Sequence, residues 1–172
     1  MKKIILARHT ETVHLASGGD KRSRNDSQLS LSGINQAISL SKFVNNHDYE
    51  AVITSLFQRS IQTAEIINTK KIQVFPSIAF SEYFIRDDNT EVETTDMAIS
   101  RTMSFIYSIF DKFDTVLIVG HSSINKTILQ ALTNIEFSEA KEYFNSLGET
   151  HVLRLDWKAG DKVWGIVESF TP

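Results

Sequence analysis

The sequence predicts an α/β protein: a three-layer α/β/α sandwich whose central sheet is mostly parallel and gains a late antiparallel strand. Three observations carry that expectation. Short, continuously apolar runs recur at Ile4-Ile5-Leu6-Ala7, Ala51-Val52-Ile53 and Val116-Leu117-Ile118-Val119, the pattern of strands buried on both faces of a sheet. Longer segments between them carry apolar residues at helical spacing, and strands alternating with helices build parallel sheets through crossover connections. Finally, Thr150–Asp156 and Lys162–Ser169 flank Lys158-Ala159-Gly160-Asp161, a turn-centred pair that reads as an antiparallel hairpin.

Each element has its own warrant. Lys3 to Arg8 is the first strand, followed by a polar loop from Ser17 to Ser27. Ser32 is the expected N-cap of the next helix, with Ile34, Ala37, Ile38, Ser41 and Val44 on its inner face and Asn45-Asn46 ending it. Ala51–Thr54 is the second strand. A helix from about Gln58 to Asn68 follows, facing inward through Ile61, Ala64 and Ile67. Ile72–Phe75 is the third strand, stopped by Pro76. The stretch from Ser77 to Thr95 is irregular and acidic. A long helix then places Ile99, Met103, Ile106, Phe110 and Phe113 at spacings of three and four, with Phe105 and Tyr107 also read as packing. Thr115–Val119 is the clearest strand and breaks at Gly120-His121, with Ile124, Ile128 and Leu132 marking the helix behind it. Phe137–Phe144 is expected to add a short helix.

At 172 residues, 41% hydrophobic and 23% charged, the chain suits one soluble domain spanning residues 1–172. A formal charge of −3 argues against general nucleic-acid binding and leaves room only for a local positive patch. With no cysteine, disulfides, thiolate metal sites and a thiol nucleophile are excluded. The apolar stretch after Lys2-Lys3 is too short for a signal peptide, and no segment has the length of a membrane span. A cytoplasmic setting is expected. The edge of the late hairpin permits a dimer without demanding one, so monomer and homodimer both stand.

The chemistry gathers where apolar runs end. Arg8-His9 closes the first strand, Arg59 follows the second and His121 follows the fourth. Residues just past strand ends reach the carboxyl edge of a parallel sheet, where α/β proteins bind ligands. Two guanidiniums and two imidazoles at one edge describe a pocket for a phosphoryl group with a histidine available as nucleophile. Singly, each residue has a plainer reading: an exposed Arg-His pair, a solvated arginine, a buried imidazole with its hydrogen bonds satisfied. Joint placement at three strand ends favours a site. Lys21, Arg22 and Arg24 are either an ordinary exposed run or a loop that meets a second anionic group of the substrate. His14, His47 and His151 are expected to have no chemical role.

Arg8-His9-Thr10-Glu11-Thr12, Leu29-Ser30 with Gly33 and Gln36-Ala37, Thr54-Ser55 with Arg59 and Gln62-Thr63-Ala64, and Val119-Gly120-His121-Ser122 together resemble the signatures of the histidine phosphatase superfamily, the phosphoglycerate mutase-like group. The resemblance implies that His9 is the nucleophile and is transiently phosphorylated. It implies that Arg8, Arg59 and His121 surround the phosphoryl group and that Glu82 is the proton donor, with no cofactor and no metal. Glu91 and Glu93 are the fallback acids. Thr10 stands where the family commonly has glycine, which puts a hydroxyl on the floor of the phosphate pocket. Ser122 likewise replaces a common glycine, and His14 and Leu15 replace the tryptophan and asparagine often found after the first motif.

The leading expectation is a metal-independent phosphomonoesterase acting on a small phosphorylated metabolite. Mutase-type phosphotransfer is the alternative within the same chemistry. The short Ser77–Thr95 segment, which leaves little to enclose a bisphosphate intermediate, favours hydrolysis. A non-catalytic phospho-ligand binder is a second class. A metallohydrolase built on His9, His14 and His121 is a third, disfavoured because Arg8 and Arg59 would repel the cation.

Overall fold

The computed structural model describes residues 1–19, 26–82, 93–158 and 161–172, and shows a six-stranded sheet of order β3-β2-β4-β1-β5-β6. The strands are β1 (Lys3–Arg8), β2 (Ala51–Thr54), β3 (Val74–Pro76), β4 (Thr115–Gly120), β5 (Thr150–Lys158) and β6 (Asp161–Phe170). β1, β2, β3 and β4 are mutually parallel, and β5 alone runs against them, pairing antiparallel with β1 and with β6. The sandwich with one late reversed strand is therefore the observed architecture.

Helices cover both faces because the central strands are apolar on both. Ile5 and Ala7 of β1 pack with Ala37, Leu40 and Val44 of α2 (Leu31–Val44) and with Ala64 and Ile67 of α3 (Gln58–Ile67). Ile4 and Leu6, on the opposite face, meet Met103 and Ile106 of α4 (Thr95–Phe110) and Ile124 and Ile128 of α5 (Ser122–Thr133). Two short helices, α1 (Val13–Ala16) and α6 (Phe137–Ala140), and a 3-10 turn at Ile78–Phe80 complete the regular elements. Among the described residues, no helix is long and apolar enough to cross a membrane.

Several expectations need correction. The cap of α2 is Ser30, whose Oγ accepts from the Gly33 amide, so the helix begins two residues earlier than a Ser32 cap implies. Its inner face is Gly33, Ala37, Leu40 and Val44, while Ile34 and Ile38 are exposed. Gly33 fixes that phase. A Cβ there would lie 2.0 Å from the Glu11 carbonyl oxygen, so only glycine lets α2 dock this closely on the loop after β1. In α4, Tyr107 points to solvent and the helix ends at Phe110, before Phe113. Finally, β3 is Val74–Pro76, displaced toward the proline that was expected to stop it.

Candidate active site

β1 and β4 lie side by side in register, with Arg8 opposite Gly120. The two chains leave the sheet together, and His9 and His121 come next. His9 N–H donates to the Gly120 carbonyl (3.0 Å), which extends the ladder by one bond beyond the strands. The imidazoles meet edge to face with centroids 5.2 Å apart. A side chain on Gly120 would strike Asn125 Oδ1 at 2.5 Å. Asn125 in turn donates to the Ala7 carbonyl and locks α5 against β1.

Arg8, His9, Arg59 and His121 are all buried, at 8%, 5%, 9% and 1% exposure. Buried arginine is rare unless something answers its charge. Arg8 donates through Nη1 to the Phe144 and Asn145 carbonyls, while its Nε has no hydrogen-bond partner among the described residues. The Arg59 guanidinium lies 4.3 Å from the centroid of the Phe57 ring, a cation–π contact, and that ring meets His121 edge-on. Burial lowers the pKa of both arginines, and the Glu82 carboxylate opposes that in each. Both stay guanidinium.

His9 is the most perturbed of these groups with a resolved value. Burial first, then the Arg59 and Arg8 charges, push its pKa down to about 3, against the opposing effect of a hydrogen bond to the Thr10 carbonyl. It is therefore neutral at physiological pH. That bond joins Nδ1 to the Thr10 carbonyl oxygen at 2.8 Å. A carbonyl only accepts, so Nδ1 carries the proton and Nε2 keeps its lone pair. His121 is pushed well below its ordinary value by burial, then by His9, Arg59, Arg8 and Arg101. Its Nε2 lies 2.7 Å from Ser55 Oγ, and Ser55 Oγ also accepts the Phe57 amide at 3.3 Å. The Nδ1 of His121 has no hydrogen-bond partner among the described residues. Ser55 thus holds the His121 ring in place.

Thr10 departs from its expected role. It is fully buried, and its amide and hydroxyl both engage Thr63 Oγ1, at 3.1 and 3.2 Å. Thr63 donates onward to the Arg59 carbonyl. The pair ties the tip of β1 to the first turns of α3, so the hydroxyl serves the scaffold instead of the pocket. The glutamines of the motifs do similar work: Gln36 Oε1 accepts from the Glu11 amide and Gln62 Oε1 from the Leu29 amide.

Glu82 arrives from a different element. It follows the 3-10 turn and accepts from the Ser123 amide at the start of α5 (3.3 Å), within electrostatic reach of Arg8 and Arg59. Glu93 is committed elsewhere, to a two-pronged pair with Arg101. Lys21, Arg22, Arg24 and Glu91 lie outside the described residues. Among the described residues no group of three His, Cys, Asp or Glu is placed to hold a metal.

Sequence reasoning missed two supports. Ser55 was visible beside Arg59 in its motif, but only the fold reveals its partner. Glu149, buried, accepts from the Phe144 and Ser146 amides and from His151, and so shapes the loop whose carbonyls hold Arg8. No local pattern around Gly148-Glu149 announces this. His151 has a structural duty after all, between Glu149 and Ser169.

Residues 4–87 match the sequence model of the histidine phosphatase superfamily (branch 1). A Schizosaccharomyces pombe protein named as a probable phosphatase is 34% identical over 91 residues, which make up 53% of this chain and 31% of that relative's length. Among solved structures, a mycobacterial glucosyl-3-phosphoglycerate phosphatase in complex with VO3 superposes with a TM-score of 0.80 at 13% identity, over 96% of this chain and 97% of that one. Bacillus stearothermophilus YhfR superposes with a TM-score of 0.78 at 21% identity, over 96% and 95%. At such identities the structural likeness concerns the fold. The match over the motif-bearing residues 4–87 and the sheet topology both make the chain similar to the histidine phosphatase superfamily.

Proposed function

We propose that this chain is a metal-independent phosphomonoesterase that acts on a small phosphorylated metabolite through a phosphohistidine at His9. One observation carries the reading: a buried, neutral His9 whose Nδ1–H is fixed on the Thr10 carbonyl, so that Nε2 holds a lone pair amid two guanidiniums. Neutrality is what a nucleophilic imidazole requires, and the surrounding charges that enforce it are those an incoming phosphoryl group needs.

In the first step Nε2 forms a bond to phosphorus as the ester P–O bond breaks, and Glu82 gives the leaving oxygen its proton. Negative charge spreads over the equatorial oxygens. Arg8, Arg59 and His121 are the groups that meet it, preorganised by burial so that little reorganisation accompanies the reaction. In the second step water attacks phosphorus, Glu82 takes a proton from it, and the P–N bond breaks to release inorganic phosphate and neutral His9. Thr10 is given no phosphate contact here, because Thr63 occupies both its polar groups. Arg8 and Arg59 also disfavour a metal ion at this spot, since two fixed positive charges repel a third.

The test is rapid-quench labelling with a phosphorus-labelled monoester. Wild type should accumulate an acid-labile, base-stable phosphoprotein, and His9→Ala should give neither label nor turnover. A labelled His9→Ala chain, or wild-type turnover with no labelled intermediate at any time point, would contradict the proposal. Binding without either event would mark a phospho-ligand module.

A further inference from the structure

Glu82 hangs on the end of a short 3-10 turn, and one side chain from a distant element grips that turn. Arg101, on α4, donates through Nη1 to the carbonyls of Ile78 (3.2 Å) and Ala79 (2.5 Å), and through Nη2 to the carbonyl of Ser81 (2.9 Å). Ser81 is the residue before Glu82. The remaining donor directions meet Glu93: Nη2 reaches Oε2 at 2.8 Å and Nε reaches Oε1. The Arg101 side chain is 17% exposed and that of Glu93 only 4%, so the pair is largely withdrawn from water.

The choice of residue has a physical reason. The Ile78 carbonyl already accepts the Ser81 amide within the turn, and Arg101 brings further donors from one side to it and to the Ala79 and Ser81 carbonyls at the turn's end. Guanidinium offers five N–H groups in a rigid plane, whereas an ammonium offers a point charge that cannot hold three carbonyls and a carboxylate in fixed directions. Glu93 takes one edge of that plane in a paired contact and stops the fork from rotating. The backbone that presents Glu82 is therefore set by a side chain that itself lies outside the list of reacting groups.

We infer that Arg101 is a positioning residue for Glu82: through the Ser81 carbonyl, and held in orientation by Glu93, it aims the carboxyl that protonates the leaving group. The inference rests on the reading of Glu82 as proton donor. General-acid catalysis contributes about 10²–10⁴-fold where a leaving group needs a proton, and little where it does not. Misplacement of a catalytic group by about 1 Å is enough to lose much of that. A residue that only stabilises the fold lowers turnover of all substrates alike.

The experiment measures kcat/KM for a series of substituted phenyl phosphates, from p-nitrophenyl phosphate to phenyl phosphate. It compares wild type, Glu82→Gln, Arg101→Lys and Glu93→Gln, and records a melting curve for each. Arg101→Lys keeps the charge and loses the fork. It should lower kcat/KM for phenyl phosphate by at least about tenfold and for p-nitrophenyl phosphate by less than about threefold. Glu93→Gln, which keeps an acceptor, should shift the series the same way by a smaller factor, and it decides the matter if Arg101→Lys does not fold. Glu82→Gln should show the steepest dependence on leaving group. If Glu82→Gln slows every ester equally, the proton-donor reading fails and the inference falls with it. If Glu82→Gln discriminates between esters while the folded Arg101 and Glu93 variants do not, positioning by Arg101 alone is overturned.

Discussion

The site has two halves built in different ways. Arg8, His9 and His121 stand on the tips of adjacent parallel strands, and their backbones are fixed by the ladder and its extension: Arg8 N–H donates to Glu149 O at 2.9 Å and His9 N–H to Gly120 O at 3.0 Å. Glu82 has no strand beneath it. It is held by the Ser123 amide and by what Arg101 does to the preceding turn. The half that stabilises charge needs fixed dipoles and cations, which sheet edges supply in a buried setting. In the proposed mechanism the half that moves a proton sits apart from the sheet, after the 3-10 turn. One fold can thus keep its phosphoryl chemistry while its selectivity varies, because the two are anchored separately.

Disturbing the charge-stabilising half, to which Arg59 of α3 also belongs, should cost most. Arg59→Lys keeps a positive charge but loses planar paired donors and the stacking on Phe57. We expect kcat/KM to fall by roughly 10²–10³-fold for every phosphomonoester, whatever its leaving group. Steady-state kinetics across good and poor leaving groups checks this. A loss confined to poor leaving groups would erase the distinction between the halves.

A smaller effect is expected at Ser55. Ser55→Ala removes the hydroxyl bonded to His121 Nε2 while leaving the ring packed against Phe57 and His9. About tenfold or less in kcat/KM is the expected loss, the worth of one hydrogen bond between neutral groups. Ser55→Thr should recover most of it. Unchanged kinetics in Ser55→Ala would mean that His121 needs no orienter.

The mildest consequence is one of pH. His9 has a folded pKa of about 3, against an ordinary value of 6.5. Between these values the unfolded chain takes up a proton that the folded chain rejects, so stability rises with pH across that window. The contribution is complete above about 6.5 and is lost progressively as pH falls toward 3. His121 acts in the same direction. Replacing His9 with glutamine should therefore flatten the decline in Tm between neutral and mildly acid pH, by about 5 °C or less. Parallel melting curves for the two proteins would contradict the buried, neutral assignment.

The sequence made the strand-tip half legible because its signals are local. An apolar run followed at once by a charged pair places those residues at a sheet edge whatever the details, and Arg8, His9, Arg59 and His121 do converge. The phase of α2 was not legible. Ile34 and Ile38 look like core by hydropathy, but the helix turns on Gly33, whose contact with the Glu11 carbonyl comes from another segment. Thr10 misled for the same reason, since its hydroxyl was free until Thr63 arrived from α3. Arg101 and Glu149 were invisible as site supports. Their partners are backbone groups far away in the chain, and no spacing rule encodes those.

The central claim is covalent chemistry at one named nitrogen. Trapping the phosphoenzyme at high pH and reading the phosphorus NMR signal of the modified histidine distinguishes its two ring isomers. The account predicts a single species, His9 phosphorylated on Nε2, because Nδ1 is held by the Thr10 carbonyl. Phosphate found on Nδ1, on His121 or on any other residue during turnover would contradict it.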